Sequence, residues 1–220
     1  LEPEIVQKKG CPTEDLFSDL CTTAYEEEKL SNDEIKSFCA FILSAGIETT
    51  DRALVNLYRE LIQWPEQWMK LQANHELVPS AIAEILRYRQ PVQGAVRKTL
   101  QEVSLNDVRI PEGVKVMCLL GAANHDPTVF EKPKQFVVDR FDGNHRAQFT
   151  RTGDNRAFGG GSHYCTGSLI AKIEMEESLR YVLENFKHIE FDGQVPKETG
   201  FYLRSSDSLK LKLSPKENNV

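Results

Sequence analysis

Apolar positions recur at helical spacing through the first ninety residues and then give way to short alternating runs. Leu16, Phe17, Leu20, Cys21 and Tyr25 share one helical stripe and predict a helix over 14–28. Ser31-Asn32-Asp33-Glu34 has the form of a capping box, with Ser as N-cap and Glu at the third helical position. A long helical pattern then runs from 32 to 63 through Ile35, Phe38, Cys39, Ile42, Leu43, Leu54, Leu57, Leu61 and Ile62. Pro65 suits the first turn of another helix, to about 76. A further helix covers 80–89 and stops before Pro91, which disfavours helical geometry at Gln90. Short strands are expected at 95–100, 103–105 and 114–119, with Pro111-Glu112-Gly113 as a turn. Residues 125–164 are rich in Gly, Pro, Asn and Asp and show little periodicity, a length of irregular chain that commonly carries function. A strong helix follows over 166–185, then alternation at Ile189, Phe191, Phe201, Leu203, Leu209, Leu211 and Leu213, and a polar tail that frays from Ser214. The class is mainly α with minor β (α+β), with no repeats and no low-complexity linker.

Composition narrows the function classes. The 220 residues carry 27 basic and 33 acidic side chains, a net charge of −6, which argues against a dedicated nucleic-acid binder. Charges interrupt each apolar run before about 18 residues, so no membrane span is expected. The five cysteines, Cys11, Cys21, Cys39, Cys118 and Cys165, are odd in number and form no CxxC pair. A disulfide framework or zinc site is not expected, and a reducing, cytoplasmic location is. Residues 1–12 lack the apolar segment of a signal peptide.

Three motifs carry chemistry. In Phe158-Gly159-Gly160-Gly161-Ser162-His163-Tyr164-Cys165-Thr166-Gly167, a cysteine follows a glycine-rich loop and precedes a helix. A lone cysteine is most often a small buried hydrophobe. At a helix start, unpaired N–H groups and the dipole favour a thiolate, which could act as a nucleophile or ligate a metal. Phosphate binding is the weaker reading, because no GK[ST] follows. Ala45-Gly46-Ile47-Glu48-Thr49-Thr50 interrupts an apolar helix; it reads either as a packing notch or as a kink offering a hydroxyl and a carboxyl beside a ligand. Glu84-Ile85-Leu86-Arg87 places opposite charges on one helix face, which alone is commonly a solvated pair.

Order and spacing together resemble the cytochrome P450 family in its soluble bacterial style. Residues 158–167 fit the family's FxxGxHxCxG haem-binding signature at every fixed position. Residues 45–50 fit its AGx[DE]T[ST] oxygen-activation motif, and Glu84 and Arg87 fit ExxR. Gln90-Pro91-Val92-Gln93-Gly94 with Arg97, then Ala122-Ala123-Asn124-His125-Asp126-Pro127 and Phe136-Val137-Val138-Asp139-Arg140-Phe141, recur in the expected order, so the likeness runs from about Asp15 to Leu213.

The resemblance implies the C-terminal part of the P450 fold: a long oxygen-binding helix, the ExxR helix, a meander and a cysteine-ligand loop. It implies haem b as cofactor, with Cys165 as the iron ligand. Phe158, Gly159, Gly160, Gly161 and Gly167 would shape the loop, and Arg97 and His163 would bind the propionates. Glu48 and Thr49 match the acid–alcohol pair that handles protons in dioxygen activation, so O₂-dependent monooxygenation is expected over peroxide-only or isomerase chemistry. Thr50 is expected to be structural. Glu84, Arg87 and Arg140 resemble the family's buried structural ion triad. One departure is Lys172, where arginine is commoner.

The implied activity is a haem-thiolate monooxygenase that inserts one oxygen atom from O₂ into an apolar organic substrate. Electrons would come from a ferredoxin or flavodoxin. Arg146, Arg151, Arg156 and Lys172 stand against Asp154 alone over 144–172, which reads as a docking surface for that donor or as a scattered solvated face. Pro91-Val92-Gln93-Gly94-Ala95-Val96 and Phe201-Tyr202-Leu203 match segments that line the substrate pocket in relatives. Family members are about twice as long, so residues 1–220 read as a single C-terminal haem-binding portion with the N-terminal half absent, and the start at Leu1 as a truncation. The 32–63 helix should then expose apolar surface. The alternatives are a half that needs a second chain and a non-catalytic interaction domain.

Overall fold

The computed structural model describes residues 1–216 and divides into two compact units, Leu1–Glu48 and Thr49–Val220. In the first, α1 (Glu2–Gly10) has Pro3 in its opening turn, Glu2 and Glu4 at its positive end and Lys8 and Lys9 at its negative end. These signals sit in a segment from which no helix was expected. Asp15 caps α2 (Leu16–Thr22) by accepting from the Ser18 N–H at 2.7 Å. Ile5, Cys21 and Ile35 form the buried core of this unit.

The helix expected over 14–28 ends at Thr22. Thr22 returns its hydroxyl to the Ser18 carbonyl and Thr23 is extended. Beyond it β1 (Ala24–Tyr25) pairs with β2 (Glu28–Lys29) across a two-residue turn, with Glu26 and Glu27 at φ 49° and 69°. Tyr25 is therefore 78% exposed on a hairpin and does not share the helix's buried face.

The long helix α3 (Asn32–Gln63) has the boundaries its periodicity gives. The capping box closes both ways: the Ser31 N–H donates to Glu34 at 2.8 Å and the Glu34 N–H to the Ser31 hydroxyl at 3.3 Å. The helix is unbroken through Gly46, and a Cβ there would meet open space, so nothing described fills a notch. Within the first unit Phe38, Phe41, Leu43 and Ile47 of α3 are exposed, as the sequence anticipates.

In the second unit the end of α3 is followed by α4 (Pro65–Ala73), a 3₁₀ turn at His75–Leu77, and α5 (Val78–Tyr88). Residues 80–87 of α5 are all buried, which places that helix at the centre of the main core with Leu57, Leu61, Phe136, Met175, Leu179 and Leu183. The β component is a set of two-stranded antiparallel ribbons. β3 (Ala95–Lys98) lies between α5 and a second hairpin, β4 (Val103–Leu105) with β5 (Val108–Ile110). β5 was not expected, although Asn106 and Asp107 at φ 46° and 65° make the turn that joins it to β4. β3 pairs with β6 (Lys115–Cys118), from Ala95 opposite Cys118 to Lys98 opposite Lys115.

A single turn of helix, α6 (Leu120–Ala123), opens the irregular stretch. That stretch is tied down by buried Phe130, Phe136, Val138, Phe141 and Phe149. The next helix, α7 (Ser168–Asn185), starts two residues later than its expected boundary. β7 (Phe186–Phe191) follows, then β8 (Glu198–Thr199), β9 (Ser205–Ser206) and β10 (Leu211–Pro215), with β7 paired to β10 and β8 to β9. The tail expected to fray from Ser214 is instead in β10 as far as Pro215; its last residues, 217–220, lie outside the described residues. No helix among the described residues is long and apolar enough to cross a membrane.

Candidate functional site

The centre of the second unit is a buried ion cluster. Arg87 clamps Glu84 through two bonds, Nε to Oε2 at 2.7 Å and Nη2 to Oε1 at 2.9 Å, with both side chains fully buried. Arg140 donates to the same carboxylate at 2.9 Å, and the Val137 N–H does so at 3.0 Å. The remaining Arg87 donors reach the carbonyls of Asn124, Pro133 and Gln135 at 2.8, 3.0 and 3.2 Å. The cluster thus fastens α5 to the irregular chain on both sides of Phe136, and it uses every charge it buries.

That chain delivers the cysteine loop. Phe158, half-buried, packs on Phe149 and Tyr164 at ring-centroid distances of 6.0 and 6.3 Å. Gly159 and Gly161 lie at φ 75° and 64°, where a side chain is strained. Gly160 is extended and has no such need. The Cys165 N–H closes the loop onto the Phe158 carbonyl at 3.0 Å. Cys165 is free and exposed, His163 is exposed at the end of a 3₁₀ turn, and Gly167 caps α7. A Cβ on Gly167 would stand 3.9 Å from the Cys165 sulfur. All five cysteines are unpaired.

The other expected site residues lie elsewhere. Arg97 is on β3, exposed, with its guanidinium on the Val96 carbonyl at 2.9 Å. Glu48 and Thr49 are consecutive on α3 where the two units divide, and both have interactions of their own. Lys172 is less free than its surroundings in the sequence suggest: Glu176, one turn on, holds it at 2.7 Å. Arg146 and Arg151 are exposed. The two segments expected near the substrate do meet, since the Gln93 N–H donates to the Tyr202 carbonyl at 2.9 Å and the Arg204 N–H to the Pro91 carbonyl at 2.8 Å.

Sequence reasoning gave no role to a set of buried amides. Asn124 and Asn155 are nearly inaccessible and hydrogen-bond each other at 3.0 Å. Nothing in composition or periodicity marks them; their burial inside a polar, glycine-rich stretch becomes visible only in the fold.

His125 lies beside them with a displaced titration. Burial holds its imidazole below the usual histidine range, Arg87 and Arg89 add to that, and the bond from Nδ1 to the Gly121 carbonyl and the charge of Glu84 oppose it. The folded state therefore binds this proton less tightly than the unfolded chain, and stability falls as pH drops through the ordinary histidine pKa of about 6.5. Denaturant midpoints of the native chain and His125→Gln, taken at about pH 7.5 and about pH 5.5, should show the smaller acid loss in the variant. Equal losses would contradict this.

The sequence model described as Cytochrome P450 matches residues 6–213. The chain belongs to the cytochrome P450 family. It is 36% identical over 210 residues to pulcherriminic acid synthase of Bacillus subtilis (95% of this chain, 52% of the relative). It is 30% identical over 213 residues to steroid C26-monooxygenase of Mycolicibacterium smegmatis (96% and 51%). Among solved structures it superimposes on P450 CYP109Q5 from Chondromyces apiculatus with a TM-score of 0.87 at 31% identity, over 98% of this chain and 53% of that one. The chain thus has the P450 fold and spans about half the length of the curated relatives it matches.

The cofactor of P450s is haem b with cysteine-ligated iron. The residues here fit that group. The donor set offers one exposed thiol on a loop in which Gly159 and Gly161, at positive φ, carry no side chain. Three residues after Cys165, α7 begins, and its apolar Leu169, Ile170 and Ile173 are exposed. Such a pairing suits a flat apolar ligand with one coordinating metal.

Proposed function

We propose that residues 1–220 act as a single haem-binding portion, the C-terminal half of a P450 monooxygenase. The supporting observation is the free, exposed Cys165 held on the glycine loop by its N–H bond to Phe158. In this reading Cys165 supplies the thiolate, and Phe158, Gly159, Gly161 and Gly167 shape the surface around it. Arg97 and His163 offer charge to the propionates. When bound, thiolate-ligated haem supplies dioxygen activation, because the sulfur donates electron density that favours O–O cleavage. Glu48 and Thr49 would supply the carboxyl and the hydroxyl that handle protons at the oxygen-binding helix. Glu84, Arg87 and Arg140 keep the loop in place without touching the chemistry. The substrate would be apolar and would meet 91–96 and 201–203. Haem titration of this chain, read on the reduced protein under carbon monoxide, tests the reading.

The electron donor would be a ferredoxin- or flavodoxin-type protein in the cytoplasm. Exposed Arg146 and Arg151 support an acidic partner steered by charge. Replacing both with Glu should slow reduction by about tenfold at low salt, with a smaller loss at high salt. An unchanged rate would contradict the docking site.

The second-chain alternative has one specific support. The exposed Phe38, Phe41, Leu43 and Ile47 of α3 are the kind of surface that another polypeptide covers.

A further inference from the structure

The structure assigns the buried amides of Asn124 and Asn155 a positioning role: together they latch the start of the cysteine loop to α5 and so set where the Cys165 sulfur stands. The assignment rests on Cys165 being the haem ligand.

A continuous series of bonds runs from α5 to the cysteine loop. Asn155 donates through Nδ2 to the Ala83 carbonyl of α5 at 2.9 Å, and Asn124 donates through Nδ2 to the Asn155 Oδ1 at 3.0 Å. The acceptor atoms of both amides then point at the loop. Asn124 Oδ1 accepts the Arg156 N–H at 2.7 Å, and Asn155 Oδ1 accepts the Ala157 N–H at 3.0 Å. From there the backbone carries the register forward. The Gly159 N–H donates to the Arg156 carbonyl at 2.9 Å, and the Cys165 N–H to the carbonyl of Phe158, the residue after Ala157, at 3.0 Å. Gln148 completes the latch by accepting the Asn155 N–H at 3.3 Å, and Gln90 by accepting from Asn124 Nδ2.

Two features set this apart from ordinary core polarity. Asn124 is fully buried and Asn155 is 4% exposed, so each acceptor lost would leave a loop N–H without water to replace it. The Asn124 backbone carbonyl is also an Arg87 acceptor, so the latch and the ion cluster share one residue. The ion cluster fixes the irregular chain as a whole, and the amides choose the register of its last segment. Positioning of this kind outside the ligand itself tunes a metal donor.

The test uses the full chain and the variants Asn155→Ala and Gln148→Ala. The second removes only the acceptor of the Asn155 N–H and keeps the α5 bonds, so it decides the matter where Asn155→Ala does not fold. In the haem-free chain, amide exchange should speed up by about tenfold at Ala157 in Asn155→Ala and several-fold at Asn155 in Gln148→Ala, while α7 amides keep their protection. In the haem-titrated proteins, the fraction of reduced CO complex with the strongly red-shifted Soret band of thiolate ligation should fall in the same order. Folded variants with unchanged exchange at those amides and an unchanged red-shifted fraction would overturn the assignment. A native chain with no red-shifted band would defeat the haem reading, and the positioning of Cys165 with it, whereas the exchange rates alone report whether the latch exists.

Discussion

Alanine at position 165 should remove the red-shifted Soret band of the reduced CO complex and leave the fold standing. The side chain is exposed and makes no bond that the core depends on, so the change in stability should stay within about 0.5 kcal/mol. The spectral effect should be complete, because no other cysteine replaces it: Cys118 is on β6, Cys21 is buried in the other unit's core, and Cys11 and Cys39 belong to that unit too. The measurement is a haem titration followed by a melt of the same sample. A variant that keeps the thiolate band would place the ligand elsewhere, and one that unfolds would give Cys165 a structural role.

Glutamine at Glu84 should have the opposite signature, a large loss of stability. The carboxylate accepts from Arg87 twice, from Arg140 and from the Val137 N–H, all in a buried setting. An amide turns one acceptor into a donor aimed at a guanidinium and leaves Arg87 buried with its charge uncompensated. Breaking such a cluster from one side costs about 3–5 kcal/mol. Against a total stability of about 5–15 kcal/mol, urea unfolding should show a sharply lowered midpoint. Removing Glu84 and Arg87 together, as a double leucine variant, should cost less than the sum of the single losses, because the fully buried Arg87 is then no longer left without its counter-charge. A Glu84→Gln protein with the native midpoint would show that the cluster is not what holds α5 to the irregular chain.

The helices were the most legible part of the sequence. The stripe from Ile35 to Ile62 and the capping box at Ser31 fix α3, because both are local signals with a strict period. The Glu84–Arg87 pair illustrates the limit of local reading. Its spacing alone describes a solvated surface pair, and only the order of motifs along the chain gave it a partner in Arg140, 56 residues away. Tyr25 was misplaced because a helical stripe extends past the helix by coincidence, while the positive φ of Glu26 and Glu27 is a strained choice that no composition rule announces. Lys172 reads as part of a basic stretch over 144–172, and its partner, Glu176, lies one helical turn beyond that stretch. Asn124 and Asn155 were illegible for a deeper reason. Amides in a loop look like turn formers, and whether they are buried depends on contacts with α5 that are far away in sequence.

In the proposed function this chain binds haem through Cys165. Titrating the full chain with haem b and recording the reduced CO spectrum tests it most directly. Saturable uptake with a strongly red-shifted Soret band is the predicted result. No uptake by a folded chain, or uptake with the unshifted band of a neutral thiol or imidazole ligand, would contradict it.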